Sequence, residues 1–132
     1  MVIFVDSSAL LALVDQADRY YEAAMSTWRD LLTQDEDLVV NNYVLVESMA
    51  LAQRRIGLEA VHILQDSIVP FLDIEWVDED MHQASVKRVL SSNRRQLSLV
   101  DCSSFETMRR LGLDTVFTFD AHFREQGFNI IP

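Results

Sequence analysis

Short apolar runs alternate along the chain with longer segments in which apolar residues recur at helical spacing. Five short runs predict β-strands, at residues 2–5, 37–40, 72–77, 115–119 and 128–132. Helical spacing predicts helices at residues 7–20, 19–33, 43–56, 58–69, 79–91 and 99–111, with a short helical turn at 120–127. This alternation predicts an α/β fold with a mainly parallel sheet and helices on both faces.

Polar residues with capping chemistry mark where several of these helices begin. Asn41 or Asn42 is expected to cap the helix after the second strand, and Asp78 is expected to cap the helix after the third. Ser98 and Asp101 have the spacing of a capping box at the start of the helix that follows a polar loop. Local chemistry therefore sets where these three helices start.

Acidic residues lie at or near the ends of three of the predicted strands. Asp6 ends the first strand and Asp120 ends the fourth. Glu47 lies one to two turns into the helix after the second strand, and Asp101 lies in the first turn of a later helix. Because ligand sites of open α/β sheets form beyond the carboxyl ends of the strands, we expect the four carboxylates to meet at that edge.

Glu47 is the acid that local structure explains least. It is the only acid between residues 38 and 58. Its helical neighbours are apolar or aromatic, namely Tyr43, Val44, Ala50 and Leu51. A lone carboxylate on such a face is costly unless a cation meets it, and the candidates are a bound metal ion or an internal arginine such as Arg54 or Arg55. The side chain could also extend outward to solvent.

Each Asp has a simpler interpretation as a helix cap, since Asp is a favoured capping residue. Capping explains Asp6, Asp101 and Asp120 one at a time, but it leaves Glu47 without a role, whereas a shared cation accounts for all four. Oxygen ligands without His or Cys favour Mg²⁺ or Mn²⁺ over zinc. Hydrolysis of a phosphate ester is the natural reaction of such a site.

Length and composition favour a single domain over residues 1–132, with 49% hydrophobic residues to form its core. No apolar run is long enough for a membrane span, and the N-terminus lacks a basic region typical of a signal peptide. The one cysteine, Cys102, fits a reducing cytoplasm and is expected to be a small buried residue.

A formal net charge of −10 argues against a nucleic-acid binder if it is taken alone. Two interpretations accommodate it: a metal ion neutralises some of the acids, or the acidic surface meets a basic protein partner. The cations are ten Arg and one Lys, and most of the arginines occur in pairs. Arg presents a planar fork suited to phosphate, although pairs near helix C-termini also suit the helix dipole.

Four segments in order, "IFVDSSALLAL", "VLVES", "LSLVDCSSFETMRRLGL" and "VFTFDAHFREQGFNIIP", resemble a PIN-domain ribonuclease of the VapC toxin type. The resemblance covers nearly the whole chain. It implies a three-layer α/β/α sandwich and Mg²⁺- or Mn²⁺-dependent cleavage of RNA. It also implies that Asp6 and Asp101 bind the metal most directly, that Asp120 binds it directly or through water, and that Glu47 completes the cluster and orients the attacking water.

The same resemblance extends to supporting residues and partners. Ser7 and Thr118 match positions where the family often carries a small hydroxyl residue, for which local capping is an equal alternative. Toxins of this type dimerise and are blocked by a small antitoxin, here expected to have a basic tail. Arg94 and Arg95 are candidates for gripping RNA phosphate, or are simply solvated. His122, on the short turn after Asp120, is near enough to that acid to contact substrate, but it is expected to be exposed.

Two alternatives to a toxin stay open from the sequence: a non-catalytic PIN-like interaction module and a housekeeping nuclease. Two other α/β enzyme and signalling classes fit poorly. A phosphatase with an N-terminal aspartyl nucleophile requires a second Asp where this chain has Ser8. A receiver-type signalling domain requires a Lys after a strand, whereas the only lysine, Lys87, lies inside a predicted helix.

Overall fold

The structure, a computed structural model, describes residues Met1–Pro132. One five-stranded sheet contains every strand: β1 (Val2–Val5), β2 (Asp37–Asn41), β3 (Asp73–Glu75), β4 (Thr115–Phe117) and β5 (Asn129–Ile131). The helices are α1 (Ser7–Val14), α2 (Tyr21–Thr33), α3 (Asn42–Arg55), α4 (Leu58–Ile63), α5 (Glu79–Ser92), α6 (Leu99–Leu111) and α7 (His122–Glu125). All four strand pairings are parallel, so the predicted α/β fold with a mainly parallel sheet is confirmed.

The strand order β3-β2-β1-β4-β5 reverses direction at the centre of the sheet. The chain moves from β1 to β2 and β3 on one side, and then crosses to β4 and β5 on the other. Because crossovers between parallel strands are right-handed, the two directions of travel place their helices on opposite faces. The gap above the carboxyl ends of β1 and β4 is therefore the topological switch point, where α/β folds form ligand sites.

The two central strands are apolar on both faces because helices cover both sides of the sheet. Phe4 and Val5 of β1 and Val116 and Phe117 of β4 are completely buried. Phe105 of α6 is equally buried and belongs to the same hydrophobic core. No helix combines the length and the apolar character needed to cross a membrane.

The structure interrupts the helical pattern that runs from residue 7 to residue 33. Helix α1 ends at Val14 and α2 begins only at Tyr21. In the turn between them, Oδ1 of Asp15 accepts the Ala17 N–H at 3.0 Å, and Oδ1 of Asp18 accepts the Tyr20 N–H at 2.8 Å. These side chains compete with the helix for backbone donors, and apolar periodicity does not register that competition.

Several further boundaries differ from the prediction. The helix expected at 58–69 is regular only as far as Ile63, and it continues as a π-helical turn at Leu64–Ile68 and a 3₁₀ turn at Val69–Phe71. Strands β3 and β4 are shorter than their apolar runs. The residues beyond β4 turn away from the sheet to form the candidate site.

Asn41 joins the two layers near that site. Its Oδ1 accepts the Val44 N–H at 2.9 Å and so caps α3. Its Nδ2 donates to Ser103 Oγ at 3.2 Å and Thr107 Oγ1 at 3.1 Å, both on α6. One fully buried side chain therefore fixes the start of the helix that carries Glu47 relative to the helix that carries Asp101.

We expect Asn41→Ala to lower the free energy of unfolding by about 2–4 kcal/mol, because it removes a cap and leaves buried polar groups without partners. Urea denaturation measures the loss. The matched variant is Asp78→Ala, which removes the exposed cap of α5 (Asp78 Oδ1 accepts the Met81 N–H at 2.8 Å). It should cost only about 1 kcal/mol. Equal losses in the two variants would contradict the joining role of Asn41.

Candidate active site

Asp6 follows β1 and is almost completely buried, with 2% of its surface exposed. Its Oδ2 accepts hydrogen bonds from Ser8 Oγ at 2.7 Å, from Thr118 Oγ1 at 2.9 Å and from the Ser8 N–H at 3.3 Å. Burial raises the pKa of Asp6, and the hydrogen bonds from Ser8 and Thr118 oppose that rise. All three bonds reach Oδ2, so Oδ1 remains available to another ligand.

Glu47 lies on α3 and meets the first turn of α1. Ser7 Oγ donates to Glu47 Oε1 at 2.8 Å, which joins two segments that are 40 residues apart in the chain. No ion pair connects Glu47 with Arg54 or Arg55, so the internal-arginine explanation of this acid is wrong. The predicted supporting residue Ser7 therefore contacts one of the four acids directly.

Asp101 lies in the first turn of α6, where the predicted capping box with Ser98 is present. The Ser98 N–H donates to Asp101 Oδ2 at 3.1 Å, and the Asp101 N–H donates to Ser98 Oγ at 3.0 Å. Burial raises the pKa of Asp101, the hydrogen bonds from Ser98 lower it, and the negative charges of Asp120 and Glu47 raise it further. The carboxylate is thus both a cap and a neighbour of other acids.

Asp120 lies in the turn after β4, two residues beyond Thr118. Its N–H donates to Thr118 Oγ1 at 3.0 Å, and its Oδ1 accepts the His122 N–H at 2.9 Å. The side chain of His122 is only 22% exposed, so the expectation that this ring is solvated was wrong. Its Nδ1 lies 3.1 Å from Asp120 Oδ1 because the short turn folds the ring back over the carboxylate.

The structure brings the four predicted acids to one edge of the sheet. Ligand atoms of Asp101, Asp120 and His122 lie within 4.8 Å of one another. Asp6 is close enough to Asp101 for that charge to raise the Asp6 pKa, and Glu47 acts on Asp101 in the same way. The capping explanation is confirmed for two of the acids, since Asp6 caps α1 and Asp101 completes the capping box of α6. Asp120 accepts the His122 N–H, but it is not the cap of α7.

Sequence reasoning missed the part that Ser8 plays in this arrangement. Ser8 Oγ donates to Asp6 Oδ2 at 2.7 Å, lies 3.1 Å from Thr118 Oγ1, and accepts the Phe119 N–H at 2.9 Å. It therefore ties the turn after β1 to the turn after β4. The signal was the position two residues after Asp6, where a hydroxyl can reach back to the capping carboxylate.

The predicted phosphate-binding arginines differ in their surroundings. Arg94 Nη1 forms an ion pair with Glu125 Oε2 at 3.0 Å, which connects the loop before α6 with α7. Arg95 has no carboxylate partner within ion-pair distance. Cys102, next to Asp101, is fully buried as expected, and burial raises the pKa of its thiol.

The residues at this edge fit a divalent cation. Carboxylate oxygens are the ligands that Mg²⁺ and Mn²⁺ prefer. Burial raises the pKa of Asp6 and Asp101, neighbouring carboxylates raise it further, and no cationic side chain forms an ion pair with either acid. In addition, His122 Nδ1 is buried beside Asp120 and makes no hydrogen bond within the chain.

We expect Asp101→Asn to raise the melting temperature of the metal-free protein at neutral pH, because it relieves repulsion on the order of 1 kcal/mol while an amide oxygen still accepts the Ser98 N–H. Because the pKa of Asp101 is raised in the folded state, Asp101 contributes most to the free energy of unfolding below its unfolded pKa of about 3.9. That contribution is lost as the pH rises through the folded-state pKa. The gain from Asp101→Asn should therefore disappear in acid.

Thermal melts at several pH values in the presence of a chelator measure this gain. Asp78→Asn is the matched control, since Asp78 caps α5 outside the acidic cluster. A stabilisation of the control at neutral pH, or none for Asp101→Asn, would contradict the repulsion between these acids.

Comparison with known proteins is consistent with this geometry. The PIN domain family model matches residues 3–129. The chain is 29% identical over 128 residues to the 23S rRNA-specific endonuclease VapC20 of Mycobacterium tuberculosis, strains CDC 1551 / Oshkosh and ATCC 25618 / H37Rv. That alignment covers 96% of this chain and 95% of VapC20.

Solved structures share the fold over the whole chain. The crystal structure of M. tuberculosis VapC20, a sarcin-ricin loop cleaving toxin, gives a TM-score of 0.80 at 28% identity and covers 98% of this chain and 99% of that one. FitAcB from Neisseria gonorrhoeae gives a TM-score of 0.70 at 15% identity, and the match covers 100% of this chain and 97% of that one. VapBC2 from Rickettsia felis, bound to a DNA fragment from their promoter, gives a TM-score of 0.72 at 10% identity. This match covers 98% of this chain and 97% of that one.

At the identities of FitAcB and VapBC2 the likeness concerns the fold alone, whereas the match to VapC20 extends to the sequence. The family model spans both central strands and all four acids. The chain therefore belongs to the PIN-domain family and is a homologue of the VapC-type toxins.

Proposed function

We propose that this protein is a metal-dependent endoribonuclease and the toxin of a toxin–antitoxin pair. The observation that carries the proposal is the meeting of Asp6, Glu47, Asp101 and Asp120 at the switch point between β1 and β4. In this proposal Asp6 and Asp101 bind Mg²⁺ or Mn²⁺ directly. Asp120 binds the ion directly or through water, and Glu47 completes the cluster.

The bound ion would polarise a phosphodiester and lower the pKa of a coordinated water. The side chains of this protein would hold the reacting groups in place. Ser7 donates to Glu47 Oε1, and no hydrogen bond reaches Oε2, so Oε2 is the oxygen available to orient the attacking water and accept its proton. Ser8 and Thr118 hold Oδ2 of Asp6, which leaves Oδ1 for the ion.

RNA is the proposed substrate. A loop of ribosomal RNA is the candidate target because VapC20 is a 23S rRNA-specific endonuclease and a sarcin-ricin loop cleaving toxin. Arg95 is the more available of the two predicted phosphate ligands, since Arg94 must exchange its exposed ion pair with Glu125 to reach phosphate. A net charge of −10 disfavours general binding to nucleic acid, so recognition has to come from local contacts near the site.

The proposed protein partner is a small antitoxin with a basic tail, which an acidic site would attract. We assign the apolar part of such a partner to an apolar groove on this chain. A groove of about 250 Å³ lies between α1, α2 and the end of α4, and its lining includes Leu13, Val14, Met25, Trp28 and Ile63. We also propose that the toxin forms a homodimer and acts in the cytoplasm.

We expect purified protein, freed of any partner, to cleave RNA only when Mg²⁺ or Mn²⁺ is present. Asp6→Asn, Asp101→Asn and Glu47→Gln should each lower the cleavage rate by roughly a hundredfold or more, because they remove metal or proton-accepting oxygens. Primer extension on ribosomal RNA measures both the rate and the position of the cut.

Asp78→Asn is the control, because it alters a cap of the same type at a distance from the cluster. It should leave the cleavage rate unchanged. If folded wild-type protein bound Mn²⁺ but left ribosomal and other RNAs intact, the chain would be a non-catalytic PIN-like module. Cleavage without an antitoxin gene nearby would favour a housekeeping nuclease.

We expect Ile63→Asp to weaken inhibition by the antitoxin from the neighbouring reading frame by roughly thirtyfold or more, because it places a charge in the apolar groove. Titration of the nuclease with purified antitoxin measures the change, and the uninhibited rate should stay the same. Leu90→Asp is the control, since Leu90 is 75% exposed on α5 and does not line the groove. The opposite pattern would place the antitoxin on the α5 side.

A further inference from the structure

His122 lies beside the acidic cluster, and one of its ring nitrogens makes no hydrogen bond. Its Nδ1 is buried and makes no hydrogen bond, although it lies 3.1 Å from Asp120 Oδ1. Buried polar atoms in folded proteins nearly always have a partner, so an orphan of this kind requires an explanation. A ring nitrogen of His122 also lies within 4.8 Å of carboxylate oxygens of both Asp101 and Asp120.

The spacing between Nδ1 and Asp120 Oδ1 suits two ligands of one ion. In an octahedral site with bonds of about 2.1 Å, neighbouring ligand atoms are about 3.0 Å apart. The observed 3.1 Å matches that edge length, while the ring orientation does not make a hydrogen bond to the carboxylate. Nδ1 therefore lies at a distance from Asp120 Oδ1 that two ligands of one ion would have, and no aligned hydrogen bond joins the two atoms.

The local structure holds the ring in this position. The backbone N–H of His122 donates to Asp120 Oδ1 at 2.9 Å, so imidazole and carboxylate belong to the same tight turn. The next residue, Phe123, is completely buried and packs edge-on against Phe105 of α6, with ring centroids 5.0 Å apart. Because α6 also carries Asp101, this packing fixes His122 relative to Asp101.

We propose that Nδ1 of His122 is a direct ligand of the catalytic metal ion, together with Asp101 and Asp120, and that it makes the site prefer Mn²⁺ to Mg²⁺. This inference rests on the proposed function of the cluster. Carboxylates alone suit Mg²⁺, whereas an imidazole nitrogen suits later divalent metals. Coordination through Nδ1 requires its lone pair, so the ring proton lies on Nε2.

The test is pulsed electron paramagnetic resonance of Mn²⁺ bound to the full-length protein. A directly coordinated imidazole nitrogen gives a strong nuclear coupling, and labelling histidine alone with ¹⁵N should change it, which separates the ring from backbone amides. His122→Gln should abolish the coupling. His62→Gln should retain it, because His62 is 78% exposed on α4 and contacts Asp66.

Metal affinity provides a second readout that does not depend on turnover. His122→Gln should weaken Mn²⁺ binding by about tenfold or more and Mg²⁺ binding by less, so that the preference for Mn²⁺ shrinks.

If wild-type protein binds Mn²⁺ and cleaves RNA but shows no histidine coupling, the role of His122 is overturned and the nuclease stands. If no Mn²⁺ binds, both proposals fall. Coupling without RNA cleavage would keep the ligand and overturn the nuclease.

Discussion

Repulsion between carboxylates is the constraint on which the rest of this structure depends. Four acids from distant parts of the chain meet where β1 and β4 end, in surroundings that raise the pKa of Asp6 and Asp101. Like charges at such distances disfavour the folded state. The surrounding structure must hold them in place, and the cap of α1 and the capping box of α6 include two of these acids.

Hydroxyl side chains provide much of that support. Ser8 and Thr118 lie 110 residues apart in the chain, yet both bind Oδ2 of Asp6 and also contact each other. Ser7 holds Glu47 in the same region. Because each hydroxyl can donate to a carboxylate and still accept a backbone N–H, these residues join the turns after β1 and β4 without adding charge. The dipoles of α1 and α6 also favour the negative charges of Asp6 and Asp101 at their N-termini.

The arginines of α5 and α6 have a structural role away from the site. Glu106 binds Arg88 at 2.7 Å and Arg110 at 3.2 Å, and Arg110 also reaches Asp80 at 3.0 Å. These bonds lower the pKa of Glu106 and hold α6 against α5. Since α6 carries Asp101, the network contributes to the position of a candidate metal ligand. Arg95, by contrast, has no carboxylate partner within ion-pair distance.

The sequence by itself determined the order of the elements, the parallel sheet and the four acids, because apolar periodicity and strand-end positions are local properties of the chain. It also identified the cap of α3 and the capping box of α6, where a side chain bonds to a backbone only three residues away. Only the tertiary structure decided the partners of Ser8, the pairing of Glu47 with Ser7 in place of an arginine, and the position of the His122 ring against Asp120. Those contacts depend on how β1, α3 and β4 are brought together, and the hydrophobic pattern of each segment carries no information about its distant neighbours.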